Sequence, residues 1–569
     1  MRPVVISAQP LMTVLARKNN AMAGALGFTL NYHQKTKHRL KAYARGPETL
    51  DWDDQPDPFM AFVSCPQAML PLAKLDALSN AIYFREKNQS EQNPEPLDIV
   101  SVSFFLRYSL GLAAWKQFGP DQWSLRINPS SGNLHPTETY LLFPSSRPEL
   151  TAGLHHYNVK QHSLEQRWKT TGPANTNHFY LAFTSVSWRE AWKYGERAFR
   201  YCQLDLGHAI ATVCAVAVAL GWRVYWQSDL ALPKLAEILG LQRESDGRAF
   251  LEEAECLLRV DAGADNEDVI PFTDLLPVDA QWFGRPTDIG GRSPYQWRLV
   301  DQVFAETERQ SLKLANPWVE LTQDQTGVSA PLGYQPDRRR FSDVVLQRRS
   351  AQRFKKQSIT LQQFTTILAG LYEYQQNLML FENPSYMGMC FILLVHRVDG
   401  VIPGLYFLPG TLNAGDTLRK TLQAQLSDQL HWEEQNHLPY IGGNEVWQMQ
   451  KGDFSQLNAT LCCHQRIASD CAFSVGFLSP FSTLLQRAGP FAYRAMHWQA
   501  GFLAQQVYLN ATYMNLQATG IGCFFDDEWH QWLGIVGNDF QFLYHMAVGS
   551  AVVDERMTSL SGYYHLDQR

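Results

Sequence analysis

The stretch Asn128-Pro129-Ser130-Ser131-Gly132-Asn133-Leu134-His135-Pro136 decides how the rest of the chain is interpreted. Its two prolines fix the backbone φ angle and lack an amide donor, and its glycine tolerates conformations that other residues avoid. An alternating apolar run, Thr137–Phe143, follows it. The pattern predicts a rigid loop that leads into a strand and presents short polar groups at Ser130, Ser131 and Asn133 to a flat heteroaromatic ligand. An ordinary Asx or Ser turn before a buried strand is the alternative.

The composition predicts a globular protein of two domains. The 569 residues exceed one ordinary core, so two units of roughly 250 residues are expected. A net charge of −6 argues against a nucleic-acid-binding surface. The longest apolar run, Ala209–Leu220, is too short to span a bilayer, so no membrane association is expected. The nine cysteines include no Cys-x-x-Cys pair, and Cys462 and Cys463 are interpreted as buried thiols of a cytoplasmic protein.

The second half of the sequence repeats the first. Ala198-Phe199-Arg200 precedes a long apolar run with Gly207 seven residues after the arginine, and Ala492-Tyr493-Arg494 is followed in the same way by Gly501. A repeat of this length indicates two related domains. Apolar spacing also predicts an amphipathic helix over 97–115 in the first copy.

Turn-forming residues between the copies predict their boundaries. We expect an N-terminal extension over residues 1–30, a first domain over 31–280, and a second domain over 337–569. The segment between them, 281–336, is predicted to be a connection with one weak helix near 300–314.

The loop is similar to the Pro-Ser-Ser-x-Asn-x-Gln/His-Pro signature of the nitroreductase-fold flavoproteins, especially their SagB-type (thiazoline/oxazoline oxidase-like) dehydrogenases. The segment from Tyr32 to His38 also resembles the opening of SagB-type proteins. The resemblance implies an α+β fold. Two tandem nitroreductase-like, FMN-dependent domains, each an antiparallel-to-mixed sheet flanked by helices, would form an intrachain pseudo-dimer.

Two segments of the second copy resemble the remaining flavin contacts of this family. Arg348-Arg349-Ser350-x-x-Arg353 resembles its phosphate-binding arginines, although a solvated basic helix start is the alternative. Gly520-Ile521-Gly522-Cys523 resembles the segment that contacts the reactive face of the flavin, although Gly-x-Gly is often only a turn. The resemblance thus implies one FMN per chain, held by Pro129, Ser130, Ser131, Asn133 and His135 from the first copy and by Arg348, Arg349, Ser350, Arg353, Ile521, Gly522 and Cys523 from the second.

The reciprocal site is predicted to be degenerate. It would combine Lys35-Thr36-Lys37 with Pro384-Ser385-Tyr386, and neither segment retains the family pattern.

Lys193 and Tyr194 resemble the Lys-Tyr pair that azoline-oxidising members use beside FMN. Such a reaction removes a proton from carbon, and a desolvated lysine or tyrosine can act as the base. A surface lysine beside a core tyrosine is the alternative.

The resemblance favours an FMN-dependent oxidoreductase of the SagB type that dehydrogenates a heterocycle or related bond in a peptide-derived natural product. The expected partners are a small-molecule or peptide substrate and a carrier or precursor-peptide-binding protein. An NAD(P)H-dependent nitro or quinone reductase, with NAD(P)H as transient reductant, and a non-catalytic scaffold remain as alternatives.

Overall fold

Two long helices cross at the centre of the molecule, one from each copy of the repeat. Helices Ala198–Ala219 and Ala492–Tyr513 have 22 residues each, and almost all of their side chains are buried. Helices that are buried on every side need no polar face, which explains their apolar sequences. The helices touch where Gly207 meets Gly501, and a Cβ added to Gly207 would lie 2.2 Å from the carbonyl oxygen of Trp498. The repeated glycines therefore mark the contact between the two halves.

The computed structural model describes residues 9–72, 93–170, 176–243, 250–263, 272, 280–290, 295–309, 318–322, 339–377, 388–410, 416–420, 422, 433–434 and 446–566. Within these ranges the helices are α1 (Gln9–Lys35), α2 (Ile99–Ser109), α3 (Ser187–Tyr194), α4 (Ala198–Ala219), α5 (Leu232–Leu239), α6 (Arg298–Glu306), α7 (Phe341–Gln347), α8 (Leu361–Asn377), α9 (Ser455–Leu461), α10 (Arg466–Asp470), α11 (Phe481–Ala488), α12 (Ala492–Tyr513) and α13 (Asp526–Leu533). The strands are β1 (Phe62–Val63), β2 (Gln67–Met69), β3 (Leu112–Phe118), β4 (Asp121–Arg126), β5 (Thr137–Phe143), β6 (Gly153–Asn158), β7 (Ser163–Lys169), β8 (His178–Ser185), β9 (Arg223–Gln227), β10 (Glu253–Asp261), β11 (Arg285–Pro286), β12 (Trp318–Glu320), β13 (Cys390–Val395), β14 (Gly404–Leu408), β15 (Glu433–Glu434), β16 (Trp447–Lys451), β17 (Phe473–Ser479), β18 (Gln517–Ile521), β19 (Gln541–Gly549) and β20 (Thr558–Ser561).

Each copy of the repeat builds one large antiparallel sheet. The first has the order β12-β9-β10-β8-β5-β6-β7-β2, and the second has the order β15-β16-β14-β13-β17-β19-β18. The central strands β8 and β17 are buried along their whole length. Helices and antiparallel sheets thus pack as an α+β protein, and the predicted fold class with two tandem units is confirmed.

The two halves also exchange their ends. Strand β20 from the C-terminal part pairs with β3 of the first half, with Thr558 opposite Gln117. In the other direction, the segment after α1 reaches the second half, where Lys37 forms an ion pair with Asp527 at 2.9 Å. The backbone of His38 lies beside Phe525 in an isolated parallel bridge. Each half is therefore completed by a segment of the other.

The helix predicted over 97–115 is shorter than expected. Helix α2 ends at Ser109, and Leu112 already begins strand β3. A Cβ on Gly111 would lie 2.6 Å from the carbonyl oxygen of Arg107, so the chain turns tightly there. The apolar residues after the turn belong to a strand whose partners, β4 and β20, come from later in the chain.

Helices, strands and contacts cross the predicted domain boundaries at several points. Helix α1 continues through the boundary at residue 30, and the buried His33 on it contacts Gln541 of the second half at 3.0 Å. In the predicted connection, strand β12 extends the first sheet next to β9. The helix predicted near 300–314 is α6, which ends at Glu306. Among the described residues of this segment, β12 thus adds to the first sheet, while the Phe304 carbonyl accepts a hydrogen bond from Arg494 of the second half.

Among the residues that the structure describes, one helical stretch, Ser187–Ala219, is long and apolar enough by composition to cross a membrane, but 83% of its apolar window is buried inside the protein. Packing at the centre of the molecule accounts for its composition.

Candidate functional site

A cavity of about 720 Å³ lies between the two halves. Its wall contains the loop predicted from the sequence together with the arginine segment of the second half, and strands β18 and β20 supply further lining residues. The residues that line it are Lys116, Trp123, Leu125, Arg126, Asn128, Pro129, Ser130, Asn133, His135, Arg348, Arg349, Ser350, Ala351, Gln352, Arg353, Gln517, Thr519, Val552, Val553, Asp554, Arg556, Met557 and Ser559. Six of these side chains are cationic and one is acidic, so the cavity is suited to an anionic ligand.

The loop on the first half is held by its own polar side chains. The Ser130 hydroxyl oxygen accepts a hydrogen bond from the His135 amide at 2.8 Å, and the Asn133 side-chain amide donates to the Ser124 carbonyl at 2.9 Å. Gly132 and Asn133 have φ angles of 60° and 61°. Glycine and asparagine are the residues that adopt this left-handed conformation most readily. The loop geometry is therefore set locally, as its sequence predicts.

Four buried polar atoms on residues of the cavity wall have no partner: Arg126 Nε, Arg348 Nη1, Asn128 Oδ1 and His135 Nδ1. The other guanidinium nitrogens of Arg348 donate to the backbone, Nε to the Ile127 carbonyl oxygen at 2.8 Å. Burial and the surrounding arginines hold the pKa of His135 well below its usual value, so its ring is neutral. Buried polar atoms are rarely left unpaired in native proteins, so a ligand that offers both an anion and donor groups fits this wall.

The arginine segment is anchored on the second half. Arg349 Nη1 donates to the carbonyl oxygens of Leu346 and Arg348, each at 2.7 Å. The Ser350 hydroxyl lies 2.9 Å from the Tyr508 hydroxyl, which accepts a hydrogen bond from the Gly520 amide at 2.8 Å. Arg353 is exposed. The segment therefore places one fixed and one solvent-facing guanidinium beside the buried Arg348.

The predicted catalytic pair lies directly against the loop. Lys193 and Tyr194 end helix α3, and a Cβ on Gly132 would lie 2.7 Å from the Tyr194 hydroxyl oxygen and 3.1 Å from the Lys193 nitrogen. Both side chains are half-buried. Burial lowers the pKa of Lys193 and, together with the charge of Glu190, raises the pKa of Tyr194. The pair therefore combines a lysine that loses its proton more easily with a phenol that keeps its own.

Two buried carboxyl groups behind the loop were missed by the sequence analysis. Asp205, on helix α4, accepts hydrogen bonds from the Ser131 amide at 3.0 Å and from the Ser131 hydroxyl at 3.0 Å. Burial raises its pKa to about 7, against the effect of these hydrogen bonds. Glu190, four residues before Tyr194, is fully buried, and both of its carboxyl oxygens lack a partner. Burial and the neighbouring Asp205 raise the pKa of Glu190 well above its usual value.

A sequence signal for both carboxyls existed. Asp205 is the one carboxylate in the buried helix α4, and Glu190 precedes Lys193 by one helical turn. Lone acids in buried helices require a partner.

Four of the predicted flavin-binding residues do not line the cavity. Ser131 turns towards Asp205, and Ile521 is buried in the core of the second half. Gly522 packs against the ring of Tyr201, where an added Cβ would lie 2.3 Å from a ring carbon. Cys523 lies beside Cys463, with the two Sγ atoms 2.6 Å apart. The structure thus groups eight predicted residues in one wall and leaves these four beside it.

The residues predicted for a reciprocal site are only partly described. Lys37 is buried and paired with Asp527, and the Thr36 hydroxyl donates to the Tyr32 carbonyl at 2.9 Å. Pro384-Ser385-Tyr386 lies outside the described residues.

The fold and the cavity together define an α+β protein built as an internal dimer, with a cationic cavity between its two halves. The chain belongs to the nitroreductase family, whose model matches residues 113–251 and 345–550, more than half of its length. The predicted family is thereby confirmed, and the protein is a nitroreductase-fold oxidoreductase.

Known proteins resemble the chain over different lengths. A putative nitroreductase from Anabaena variabilis ATCC 29413 has a similar structure, with a TM-score of 0.65 at 21% identity, covering 92% of this chain and 99% of that one. The trifolitoxin-processing protein TfxB of Rhizobium leguminosarum bv. trifolii is 26% identical over 172 residues. That match spans 27% of this chain and 46% of TfxB, so the chain covers about half the length of this relative.

Proposed function

We propose that the protein is an FMN-dependent oxidoreductase of the SagB type that dehydrogenates a heterocycle or related bond in a peptide-derived natural product. The cavity between the two halves carries the proposal. Its wall joins the Pro129–His135 loop to the Arg348–Arg353 segment and contains buried polar atoms that have no partner in the protein. A volume of about 720 Å³ lies in the range of sites that hold a ligand of mononucleotide size.

The residues present suit FMN. Arg348, Arg349 and Arg353 supply guanidinium groups for a phosphate, which arginine binds through paired donors. Asn128 and His135 offer acceptors that a flavin ring edge with an N–H group can satisfy. When bound, FMN supplies an acceptor for the hydride that leaves the substrate.

Lys193 is proposed to take the substrate proton. Its lowered pKa increases the fraction of neutral amine, which is the basic form. Tyr194 keeps its phenolic proton and serves as a hydrogen-bond donor, because burial disfavours its anion. Glu190 lies one turn before Lys193 and raises the pKa of the lysine, but the effect of burial is larger and the pKa of Lys193 is lowered.

The peptide-derived substrate class is supported by the relative TfxB, a trifolitoxin-processing protein. A carrier or precursor-peptide-binding protein is proposed as partner on the same ground.

A nitro or quinone reductase that takes electrons from NAD(P)H is the second candidate, because the family model itself is the nitroreductase family. Addition of NADPH to the anaerobic holoenzyme separates the two proposals. Rapid bleaching of the flavin by NADPH supports the reductase, and bleaching by a thiazoline-containing peptide supports the dehydrogenase. A protein that binds no flavin and turns over neither compound is a scaffold.

The flavin site is tested by the amount of cofactor released from the denatured protein. We expect one FMN per chain, since the described residues combine a complete loop and arginine segment at one position. Replacement of Arg349 by Ala removes charge-assisted hydrogen bonds worth about 1.5–3 kcal/mol each, so FMN should bind roughly ten- to hundredfold more weakly.

Arg466→Ala is the matched control, because Arg466 is exposed, lies away from the cavity and carries the same charge. Two flavins per chain, FAD in place of FMN, or equal loss of FMN in both variants would refute the assignment.

A further inference from the structure

Two cysteines from distant segments meet beside the candidate site. Cys463 follows helix α9, Cys523 follows strand β18, and their Sγ atoms are 2.6 Å apart. The prediction of buried thiols is correct for Cys462 and wrong for Cys463, which is half-buried like Cys523. Of the nine cysteines, Cys65 is the third that is half-buried.

Contacts that do not involve sulfur hold the two segments together. The Phe525 amide donates to the Leu461 carbonyl at 2.8 Å. The Gln465 side-chain amide donates to the carbonyl oxygens of Cys462 and Cys523 at 2.9 and 3.0 Å. Cys463 itself has a φ angle of 54°, in the left-handed region. The fold therefore brings the two sulfur atoms together through contacts of the neighbouring backbone and side chains as well.

The surroundings of Cys523 favour its thiolate. The hydrogen bond between the two sulfur atoms, followed by the contributions of His38 and Arg197, lowers the pKa of Cys523 to about 5 against the effect of burial. The Ala44 amide donates to His38 Nδ1 at 3.0 Å, so the neutral ring carries its proton on Nε2 and can donate to the sulfur. The same hydrogen bond raises the pKa of Cys463, which therefore keeps its proton.

We propose that Cys463 and Cys523 are a redox-active dithiol that closes to an intrachain disulfide at the expense of a low-molecular-weight disulfide. In the first step the Cys523 thiolate attacks one sulfur of the small disulfide, and a small thiolate leaves. Cys463 then loses its proton to solvent and attacks the Cys523 sulfur of the mixed disulfide, which expels the second small thiolate. The balance is two protein thiols and one small disulfide giving one protein disulfide and two small thiols.

The pair is coupled by packing to the candidate base. Gly522, next to Cys523, packs on the Tyr201 ring, whose centroid is 4.5 Å from that of Tyr194. Oxidation removes the thiolate charge from this cluster. The proposal does not require flavin, so its failure and failure of the flavin assignment are separate outcomes.

The test uses the purified full chain, incubated with oxidised glutathione at pH 7 and then alkylated, digested and analysed by mass spectrometry. We expect a cross-linked peptide pair containing Cys463 and Cys523 and two equivalents of released glutathione per chain. Cys463→Ser should stop the reaction at a mixed disulfide on Cys523, with one equivalent released. Cys65→Ser should behave as wild type. The proposal would be overturned if the wild-type protein kept a mixed disulfide with glutathione and formed no Cys463–Cys523 disulfide. It would also be overturned if Cys523 reacted no faster than Cys65.

A second measurement uses only the wild-type protein, so it does not depend on the folding of a variant. The rate of alkylation of Cys523 by iodoacetamide in the reduced wild-type protein should rise with pH through a midpoint near 5, whereas Cys65 should react only at high pH because burial raises its pKa to about 11. A midpoint for Cys523 at the value of an ordinary thiol, about 8.5, would contradict the proposed thiolate.

Discussion

At the scale of single residues, Lys193 is the candidate base because it contacts the Pro129–His135 loop. Lys193 and Tyr194 abut Gly132, and the Lys193 nitrogen is 5.4 Å from the centroid of the Trp52 ring. Aromatic rings and backbone atoms partly shield the Lys193 amine from water. Among the described contacts, no carboxylate accepts a hydrogen bond from it. Burial lowers the pKa of this lysine, which makes it a better candidate for a general base than an exposed lysine.

Replacement of Lys193 by Ala, or of Tyr194 by Phe, should therefore affect the chemical step. We expect reduction of the flavin by a thiazoline-containing peptide to slow by roughly 10²–10⁴-fold, with flavin content close to wild type. Stopped-flow absorbance of the anaerobic protein measures the rate. Lys234→Ala, which removes an exposed lysine, is the control. Wild-type rates in both variants would exclude the pair from the mechanism.

Asp205 should make stability depend on pH. Its pKa is raised from an ordinary value of 3.8 to about 7, so the folded protein binds more protons than the unfolded chain between these values. The contribution of Asp205 to the free energy of unfolding of the wild-type protein therefore falls as pH rises from about 4 to 7. The side chain of Asp205→Asn is neutral at every pH, so the variant does not lose stability in this way. The difference in free energy of unfolding, variant minus wild type, should therefore increase between pH 4 and pH 7, by about 4 kcal/mol at most.

Denaturant unfolding at pH 5 and at pH 7.5 measures the change for Asp205. If the difference between variant and wild type is the same at both pH values, Asp205 does not titrate in this range.

At the scale of elements, the contact between α4 and α12 depends on two glycines. A Cβ on Gly501 would lie 2.1 Å from the carbonyl oxygen of Leu204, and backbone at this distance cannot move aside cheaply. The repeat in the sequence was recognised partly from Gly207 and Gly501, and the structure gives the physical reason for both. Each glycine lacks a side chain, so the backbone of the other helix can come into contact with its own backbone.

Gly501→Ala should consequently destabilise the protein by about 1–3 kcal/mol or more, because the helices must separate. Gly27→Ala is the matched control, since Gly27 is exposed on helix α1 and an added Cβ has no neighbour within 4 Å. The control should stabilise by about 0.5–1 kcal/mol through helix propensity. Thermal or denaturant unfolding measures both, and an equal effect of the two substitutions would show that helix contact is not what Gly501 provides.

At the scale of the whole molecule, buried ion pairs join the halves in both directions. Arg200 of the first half contacts Asp526 of the second at 3.0 Å, and Arg494 of the second contacts Glu255 of the first at 2.5 Å. Asp526 also accepts from Arg197 at 3.2 Å. Although burial opposes ionisation, these arginines hold the pKa of Asp526 well below its usual value. The two halves are therefore joined by buried ion pairs of Arg200 and Arg494, which are equivalent in the repeat.

Asp526→Asn should cost about 3–5 kcal/mol, because it leaves two guanidinium groups buried without a counter-charge. The contribution of Asp526 should be fully present above pH 4 and lost as pH falls further, so the difference between wild type and variant should shrink in acid. Asp416→Asn, on an exposed side chain paired with Arg419, is expected to cost no more than about 1 kcal/mol. A small, pH-independent effect at Asp526 would mean that the halves are held together by apolar packing alone.

Much of the architecture follows from local sequence. Periodicity and turn residues were enough to predict the long helix after Ala198, its copy after Ala492 and the strand after the loop, because each of these depends on residues near in sequence. The loop conformation is also local, since Ser130, Asn133 and His135 bond one another or adjacent backbone.

Other features depend on residues that only the tertiary structure brings together. The strand that begins at Leu112 was predicted as helix, because its apolar spacing fits either element until β20 supplies a partner from more than four hundred residues away. In the same way, Asp205 contacts Ser131, and Cys463 contacts Cys523, although the sequence around one residue does not predict its contact with the other. Residue type and spacing therefore determined which groups the chain offers, whereas long-range packing decided which of them are buried, which are left without a partner and which share a wall of the cavity.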